Sequence, residues 1–450
     1  MGHYAPAIVN HFVVRARAQG GERRDSIVKM MKYVGVSAAV LAMMRIAWSE
    51  PPPPALRLGD AIQLALTRNE RARIAELDVV VADAGVAKAR VAFLPVLAAN
   101  GNDTLRARDK SLDTANGALT LSQPLLEPSA WPLLDEAKHN LSGQRAQSAD
   151  DKRLLAFDAA KAFFSVLLAN QVVKAAQRKL DTAKADLADT EAQARAQLVS
   201  SNDVTRAQIG LASSVRELAS DQGNLDTAYV QLAFVIKERV TPGLEVPEAL
   251  LEAGTKPLPA VETLLAASLA RRPDLAARKD FALAAHDFAR EPRMRWFPTL
   301  SLAAQLTANS QSNPEVAGTL ALTANWTIFD AGSRAADARS RDASAEIADL
   351  TTDSLVRTID AQVRSAAASL HSAQEALIAA QDAMTASRKS ADETAILYHQ
   401  QLAKAIELLD ANEQRFAAEV NFAVAQFSVA SAYLALRQAM GLDPTGEELP

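Results

Sequence analysis

Glu407 and Asp410 lie three residues apart in a stretch of helical periodicity, which sets two carboxylates on one face of one helix. Close like charges favour cation capture. The same pair also reads as an ordinary acidic first turn, stabilised by the helix dipole. Few other residues offer chemistry. His139, His286, His371 and His399 stand singly in helical stretches, where surface or groove histidines are the common case. There is no glycine-rich phosphate loop followed by lysine, no His-Glu-x-x-His and no glycine-flanked nucleophilic serine. The lack of cysteine excludes thiolate catalysis, disulfides, cysteine zinc sites and a lipid anchor on cysteine. A formal charge of −5 without a basic stripe argues against nucleic acid as a partner. The residues predict no enzyme, no cofactor and no metal.

The elements that carry these residues come in two copies. Leu66-Thr67-Arg68-Asn69-Glu70 lies on Leu269-Ala270-Arg271-Arg272-Pro273 at an offset of 203, as do Phe93-Leu94-Pro95 on Trp296-Phe297-Pro298 and Leu125-Leu126-Glu127 on Ile328-Phe329-Asp330. Further on, Leu198 to Val204 falls on Leu402 to Leu408 at an offset of 204. Each half is therefore one structural unit. The breakers Thr241-Pro242-Gly243, Pro247, Gly254, Pro257 and Pro259 mark a linker between them. The predicted order within a half is helix, two strands, two helices.

Residues 133–241 and 315–443 contain no proline, so long helices are permitted. Leu155, Ala159, Ala162, Val166, Ala169, Val173, Ala176, Leu180, Ala183 and Leu187 step by four and three, the seam of a coiled coil. Leu355, Ile359, Val363, Ala366, Leu370, Ala373, Leu377, Ala380 and Met384 do nearly the same. Alanine at alternate seam positions brings the helices close. A helix over 131–197 would be about 100 Å long at 1.5 Å per residue.

Ahead of each helix pair, apolar and polar residues alternate. Leu300, Leu302, Ala304, Leu306 and Ala308, then Leu320, Leu322, Ala324, Trp326 and Ile328, form one side of a hairpin turned at 311–314. Two such strands of about ten residues suit a membrane hairpin or a half-buried soluble one. The first half offers a less regular pair, 95–106 and 117–123, joined by the polar stretch 107–116. Nothing after Ser49 has the 18 or more consecutive apolar residues of a transmembrane helix, so a membrane, if spanned, would be crossed by strands. Four strands leave open edges that lipid does not tolerate, so oligomerisation follows if these strands lie in a membrane. Trp296, Phe297, Trp326 and Phe329 at the strand ends read either as an interfacial belt or as core packing.

The N-terminus reads as a basic leader or misassigned start over 1–29. A signal peptide follows over 30–49, with Lys32, an apolar run from Tyr33 to Met44 and the cleavage motif Ala47-Trp48-Ser49. An amphipathic N-terminal helix is the alternative, favoured by Arg45 at the end of the apolar run.

These features together resemble the TolC family of outer-membrane efflux proteins. The phrases that carry the resemblance are Arg271-Arg272-Pro273-Asp274-Leu275, Phe297-Pro298-Thr299-Leu300-Ser301-Leu302, Trp326-Thr327-Ile328-Phe329-Asp330-Ala331-Gly332 and, in the first half, Leu121-Ser122-Gln123-Pro124-Leu125-Leu126. The resemblance covers about 56–443. It implies a mainly α fold with a transmembrane β-barrel contribution, in which two tandem repeats build a trimeric 12-stranded barrel and an α-helical periplasmic tunnel. It divides the chain into a Pro-rich segment 50–56, repeat 1 over 57–240 (strands 95–106 and 117–126), a linker 241–259, repeat 2 over 260–443 (strands 298–309 and 318–329) and a tail 444–450.

The same resemblance implies an outer-membrane channel of a Gram-negative bacterium, most of the chain lying in the periplasm. The channel would be a passive exit duct of a tripartite efflux or type I secretion system, carrying drugs, toxic small molecules or protein. Its partners would be a periplasmic adaptor (membrane fusion) protein, an inner-membrane pump of RND, MFS or ABC type, and outer-membrane lipid. At the helix tips it assigns an acidic entrance ring to Glu407 and Asp410, closure to Asp203, Tyr398 and Lys404, and adaptor contact to Gln197, Leu198, Val199, Gln401, Leu402 and Ala403. Two departures stand out: glutamines replace both tip glycines, at Gln197 and Gln401, and Ala403 stands where a basic partner is expected, with Lys404 beside it. The rival reading is an elongated coiled-coil scaffold, periplasmic or cytosolic, without membrane insertion.

Overall fold

A computed structural model describes residues 55–104, 114–240, 243–309 and 315–446. The leader, the signal peptide and both hairpin turns fall outside them, as do most of the Pro-rich segment and the last four residues.

Each repeat opens with two helices where the sequence predicts one. They are α1 (Leu58–Arg68) and α2 (Glu70–Arg90) in the first, α6 (Val261–Arg271) and α7 (Pro273–Met294) in the second. The break has a local cause. Asn69 takes extended dihedrals and its side chain accepts from Arg71 N–H, capping α2, while Pro273 starts α7 and holds Arg272 extended before it. Strands β1 (Val96–Thr104) and β2 (Thr114–Leu126) follow, then the long helices α3 (Ala130–Arg195) and α4 (Ser201–Ile236). A short α5 (Glu248–Thr255) occupies the linker. Repeat 2 continues with β3 (Thr299–Asn309), β4 (Glu315–Asn325), α8 (Ser333–His399) and α9 (Ala405–Ala439).

The predicted seams are the packed faces: Leu155, Ala159 and Val166 on α3 and Ile359, Val363 and Leu370 on α8 are buried. Three buried clusters result among the described residues. One forms around Phe157, Phe163, Leu232 and Ile62, another around Ile359, Val363, Leu264 and Leu436, and a small third joins Ala176 and Leu180 to Leu218.

Both repeats close on themselves by the same joint. In the first, Asn69 Nδ2 donates to the Val235 carbonyl at 2.8 Å, and in the second Arg272 Nη1 donates to the Ala439 carbonyl at 3.1 Å. The chain then leaves the helix through a left-handed residue, Lys237 (φ 57°) or Gly441 (φ 76°). Only the second demands glycine for space as well, since a Cβ there would stand 2.8 Å from Arg272 Cγ. Arg272 also clamps Asp274 with two bonds, at 2.9 and 2.6 Å, which gives the Arg-Arg-Pro-Asp-Leu phrase a structural task. Those bonds outweigh the effect of burial and hold the Asp274 carboxyl below its usual range.

The sheet runs β1-β2-β3-β4, antiparallel throughout. β2 and β4 begin three residues earlier than predicted, and β4 ends at Asn325, four residues short of the predicted end. Pro124, unable to donate to the ladder, sits beside a register shift between Pro124 and Leu126.

Candidate functional site

The two helix hairpins turn in the same way. After α3, Leu198 N–H donates to the Gln193 carbonyl and Gln197 N–H to the Ala194 carbonyl, both at 2.9 Å. After α8, Leu402 N–H donates to Leu397 at 2.8 Å and Gln401 N–H to Tyr398 at 2.9 Å. Both are Schellman closures, which need a left-handed residue, and Gln197 (φ 60°) and Gln401 (φ 63°) supply it. The glutamines thus adopt the conformation of the glycines they replace, at a cost of about 1–2 kcal/mol each.

The next helix starts at once. Ser200 Oγ accepts from Asp203 N–H at 3.3 Å while Asp203 Oδ2 accepts from Ser200 N–H at 3.1 Å, a reciprocal capping box. Lys404 occupies the matching position in the second tip. Its ammonium can only donate, so only half the box forms, Glu407 Oε2 accepting from Lys404 N–H at 3.2 Å. At the offset of 204, Asp203 corresponds to Glu407 and Arg206 to Asp410. The first tip is balanced in charge at these positions and the second is doubly acidic. Asp410 is exposed, and its Oδ2 accepts from Gln414 Nε2 at 2.8 Å.

Of the residues assigned to closure, Tyr398 is 5% exposed, and among the described residues its hydroxyl has no hydrogen-bond partner. It borders a cavity of about 40 Å³ shared with Asp186, Thr190, Asp203, Arg206 and Leu409. The Asp203 carboxylate is engaged by Ser200, at 2.8 Å from its Oγ, and among the described residues Lys404 forms no ion pair. One protomer therefore contains no link among the three. Leu198, Val199, Gln401, Ala403 and Lys404 line a hollow of about 540 Å³ between the tips. Leu402, at 73% exposure, projects as the counterpart of exposed Leu198.

Just inside the tips lies a polar layer that the sequence did not single out. Lys179 Nζ on α3 bonds Glu217 of α4 and Glu413 of α9, each at 2.7 Å. Burial alone would lower the Lys179 pKa, but the two carboxylates hold it above the usual lysine value. Glu419 on α9 receives Arg178 of α3 at 3.0 Å and Arg388 of α8 at 3.3 Å. Nearer the tips, Asn412 Nδ2 donates to Asp186 at 3.1 Å and His399 Nδ1 lies 3.8 Å from Asp189. Burial pushes the Asp186 carboxyl up, and Asp189 adds to it, while Asn412, Arg415 and His399 oppose. Periodicity cannot find these residues, because each pairs with a helix more than thirty positions away.

At the opposite end, the strand register sorts side chains by chemistry. Leu97 and Ala99, Leu119 and Leu121, Leu302, Ala304 and Leu306, and Leu320 and Leu322 share one face by pairing. Asn100 and Asn102, Thr120 and Ser122, Gln305 and Thr307, and Thr319 and Thr323 share the other. Leu320 at 73% and Leu322 at 64% show that the apolar face is left uncovered within the chain, where a soluble hairpin would bury it. Below it Trp296, Trp326 and Phe329 are exposed, which rules out core packing within the chain.

A model of the outer membrane efflux protein family matches residues 61–236 and 264–442, one match to each repeat. The chain belongs to the outer membrane efflux protein family. No curated protein matches it by sequence. Among solved structures it is similar to CusC, at 19% identity and a TM-score of 0.76 over 86% of this chain and 92% of that one. It is also similar to the open state of the MtrE outer membrane channel of Neisseria gonorrhoeae, at 22% and 0.74 over 87% and 91%. The CmeC outer membrane channel of Campylobacter jejuni matches at 15% and 0.73 over 87% of each chain. As an outer membrane efflux protein the chain is a channel subunit and not an enzyme, and it acts in the outer membrane with its helices in the periplasm. It is the outer-membrane component of a tripartite efflux system, and the membrane-free scaffold reading is not favoured.

Proposed function

We propose that three copies of the chain close a 12-stranded barrel and a helical tunnel whose periplasmic mouth is gated by the six tips. The observation that carries this is the sheet: four strands with one face for lipid and one for water, and two outer edges without a partner strand among the described residues. Lipid cannot satisfy open strand edges, and further copies can. The exit duct is passive, and a periplasmic adaptor seats against Gln197, Leu198, Val199, Gln401, Leu402 and Ala403, coupling it to an inner-membrane pump of RND, MFS or ABC type. Export of drugs, toxic small molecules or protein is then selected by the pump. The domain division given above accompanies this reading, with cleavage after Ser49, checked by N-terminal sequencing of the mature protein.

Glu407 and Asp410 set six carboxylates around the mouth. The half-formed box at Lys404 supports this placement, since it anchors Glu407 at the start of α9. Tyr398, Asp203 and Lys404 contribute to closure across subunits, where groups without mutual contacts in one protomer can meet. The test is single-channel recording of the Glu407→Gln, Asp410→Asn double variant in planar bilayers. Loss of cation selectivity and of block by multivalent cations is expected; wild-type values for both would remove the ring.

A further inference from the structure

The corner where helices meet the strands is built twice on one backbone plan, and the two copies differ in charge. In repeat 1 Phe93, just ahead of β1, packs on Trp131 at the start of α3, with ring centroids 4.8 Å apart. The offset of 203 turns that pair into Trp296 and Arg334, where the Arg334 guanidinium lies 4.0 Å from the centre of the Trp296 ring. The same offset carries Lys88 and Arg90, in the last turn of α2, onto Glu291 and Arg293, in the last turn of α7.

Repeat 2 neutralises its own charges there. Buried Glu291 holds Arg295 at 2.6 Å and Arg341 at 2.7 Å, Asp342 holds Arg293 at 2.7 Å, and Asp330 holds Arg334 at 2.8 Å. Of the basic groups at this corner, Arg339 alone lacks an acid among the described residues. Repeat 1 does the reverse. Lysine stands at the position of Glu291, and at the depth of Arg341 and Asp342 the helix α3 offers Ala137, Lys138 and His139. The two nearby carboxylates on α3 are engaged, Asp135 by Lys138 at 2.9 Å and Glu136 by Asn140 at 2.8 Å. Lys88 and Arg90 are exposed and form no ion pair among the described residues.

Directly above these two cations the surface is apolar. Val91, Leu94 and Val96 are exposed, and Trp131 is 60% exposed. Only the 3₁₀ turn Val91–Phe93 and two further residues separate Arg90 from β1. That turn rises about 6 Å at 2.0 Å per residue, close to the headgroup layer of one leaflet, about 5–8 Å thick. With the strands in the bilayer, the cations stand at the depth of the phosphates and the indole at the depth of the glycerol.

We propose that the repeat-1 corner seats an anionic phospholipid of the periplasmic leaflet, Lys88 and Arg90 holding its phosphate and Trp131 packing along its glycerol and upper acyl chain. The self-neutralised repeat-2 corner takes any phospholipid alike. The inference rests on the reading that the sheet lies in the membrane. A zwitterionic lipid carries its own ammonium beside the phosphate, so it gains less from two unpaired cations than phosphatidylglycerol does.

The full protein is reconstituted into vesicles of phosphatidylglycerol and phosphatidylcholine in equal parts, with bromine on the acyl chains first of one lipid and then of the other. The emission of Trp131, taken as the part that Trp131→Phe removes, reports which lipid lies at this corner. Brominated phosphatidylglycerol is expected to quench it more strongly, with a preference of about fivefold for each basic group at low salt. Lys88→Gln combined with Arg90→Gln should abolish that preference, while quenching by brominated phosphatidylcholine shows that the double variant still inserts. Arg339→Gln, which removes an unpaired cation from the other corner, should leave it intact. Equal quenching by the two lipids in the parent would overturn the seat, and so would a preference that survives in the double variant or disappears equally with Arg339→Gln. Tryptophans quenched by neither lipid would overturn the placement of the sheet in the membrane, and this seat with it.

Discussion

The two tips share one backbone path and differ in what their side chains do with it. Both turn through a left-handed glutamine and enter the next helix four residues later. The first then closes a complete capping box on Ser200 and balances Asp203 with Arg206. The second has Lys404 in the cap, half a box, and two acids at the matching positions. The opposite ends of the repeats show the same contrast, Asn69 and Lys237 in the first against Arg272 and Gly441 in the second. Duplication fixes the geometry while each copy's side chains are free to diverge. A ring built from such copies has threefold and not sixfold electrostatics, with one tip type specialised for charge and the other for rigid capping.

The largest expected effect lies at the repeat ends. Arg272→Ala strands the largely buried Asp274 carboxylate and removes a donor from the Ala439 carbonyl, for a loss of about 3 kcal/mol. Asn69→Ala at the equivalent joint is expected to cost about 1 kcal/mol. Equal losses in equilibrium denaturation would erase the contrast between the joints. Gly441→Ala follows, at about 2 kcal/mol, because it combines a positive φ with the clash against Arg272 Cγ.

At the tips the effects are smaller and opposite in sign. Ser200→Ala is expected to cost about 1 kcal/mol and to speed amide exchange at Asp203, while Lys404→Ser gains a similar amount and slows exchange at Glu407. If Lys404→Ser leaves that exchange unchanged, the half-box is not what distinguishes the second tip. Gln197→Gly and Gln401→Gly each relieve left-handed strain and should gain up to about 1 kcal/mol.

The smallest effect concerns pH. Burial raises the folded-state pKa of Asp186 above the ordinary aspartate value of 3.8, so the folded chain holds this proton more tightly than the unfolded chain. Its ionisation therefore costs stability as pH rises from that value through the raised one, and the cost persists at neutral pH. Asp186→Asn should melt higher than the parent at pH 7, and the gap should close as pH falls toward 4. A gap independent of pH would place the effect elsewhere.

The periodic parts of the fold were legible because their cause is local. The heptad steps of Leu155 to Leu187 state which face is buried, and the alternation over 300–328 states which side chains share a face. The site was legible only as positions. The left-handed conformation of Gln197 and Gln401 was expected from the tip glycines that the family resemblance implies there, but the engagement of Asp203 by Ser200 depends on where a helix starts to within one residue. Lys179, Asp186, Glu413 and Asn412 gave no signal, since nothing local marks a polar residue whose partner stands on another helix.

By itself the sequence determined the duplication, the helix seams, the two-faced strands and the residue types at both tips, because each is written as a spacing along the chain. Only the tertiary structure decided that the two hairpins join into one four-stranded sheet, that Arg272 and Asn69 perform the same closure, and that Trp326 stands beyond the end of β4. These facts depend on which distant segments come together, and that is set by packing three helices and a sheet at once, which no periodicity encodes.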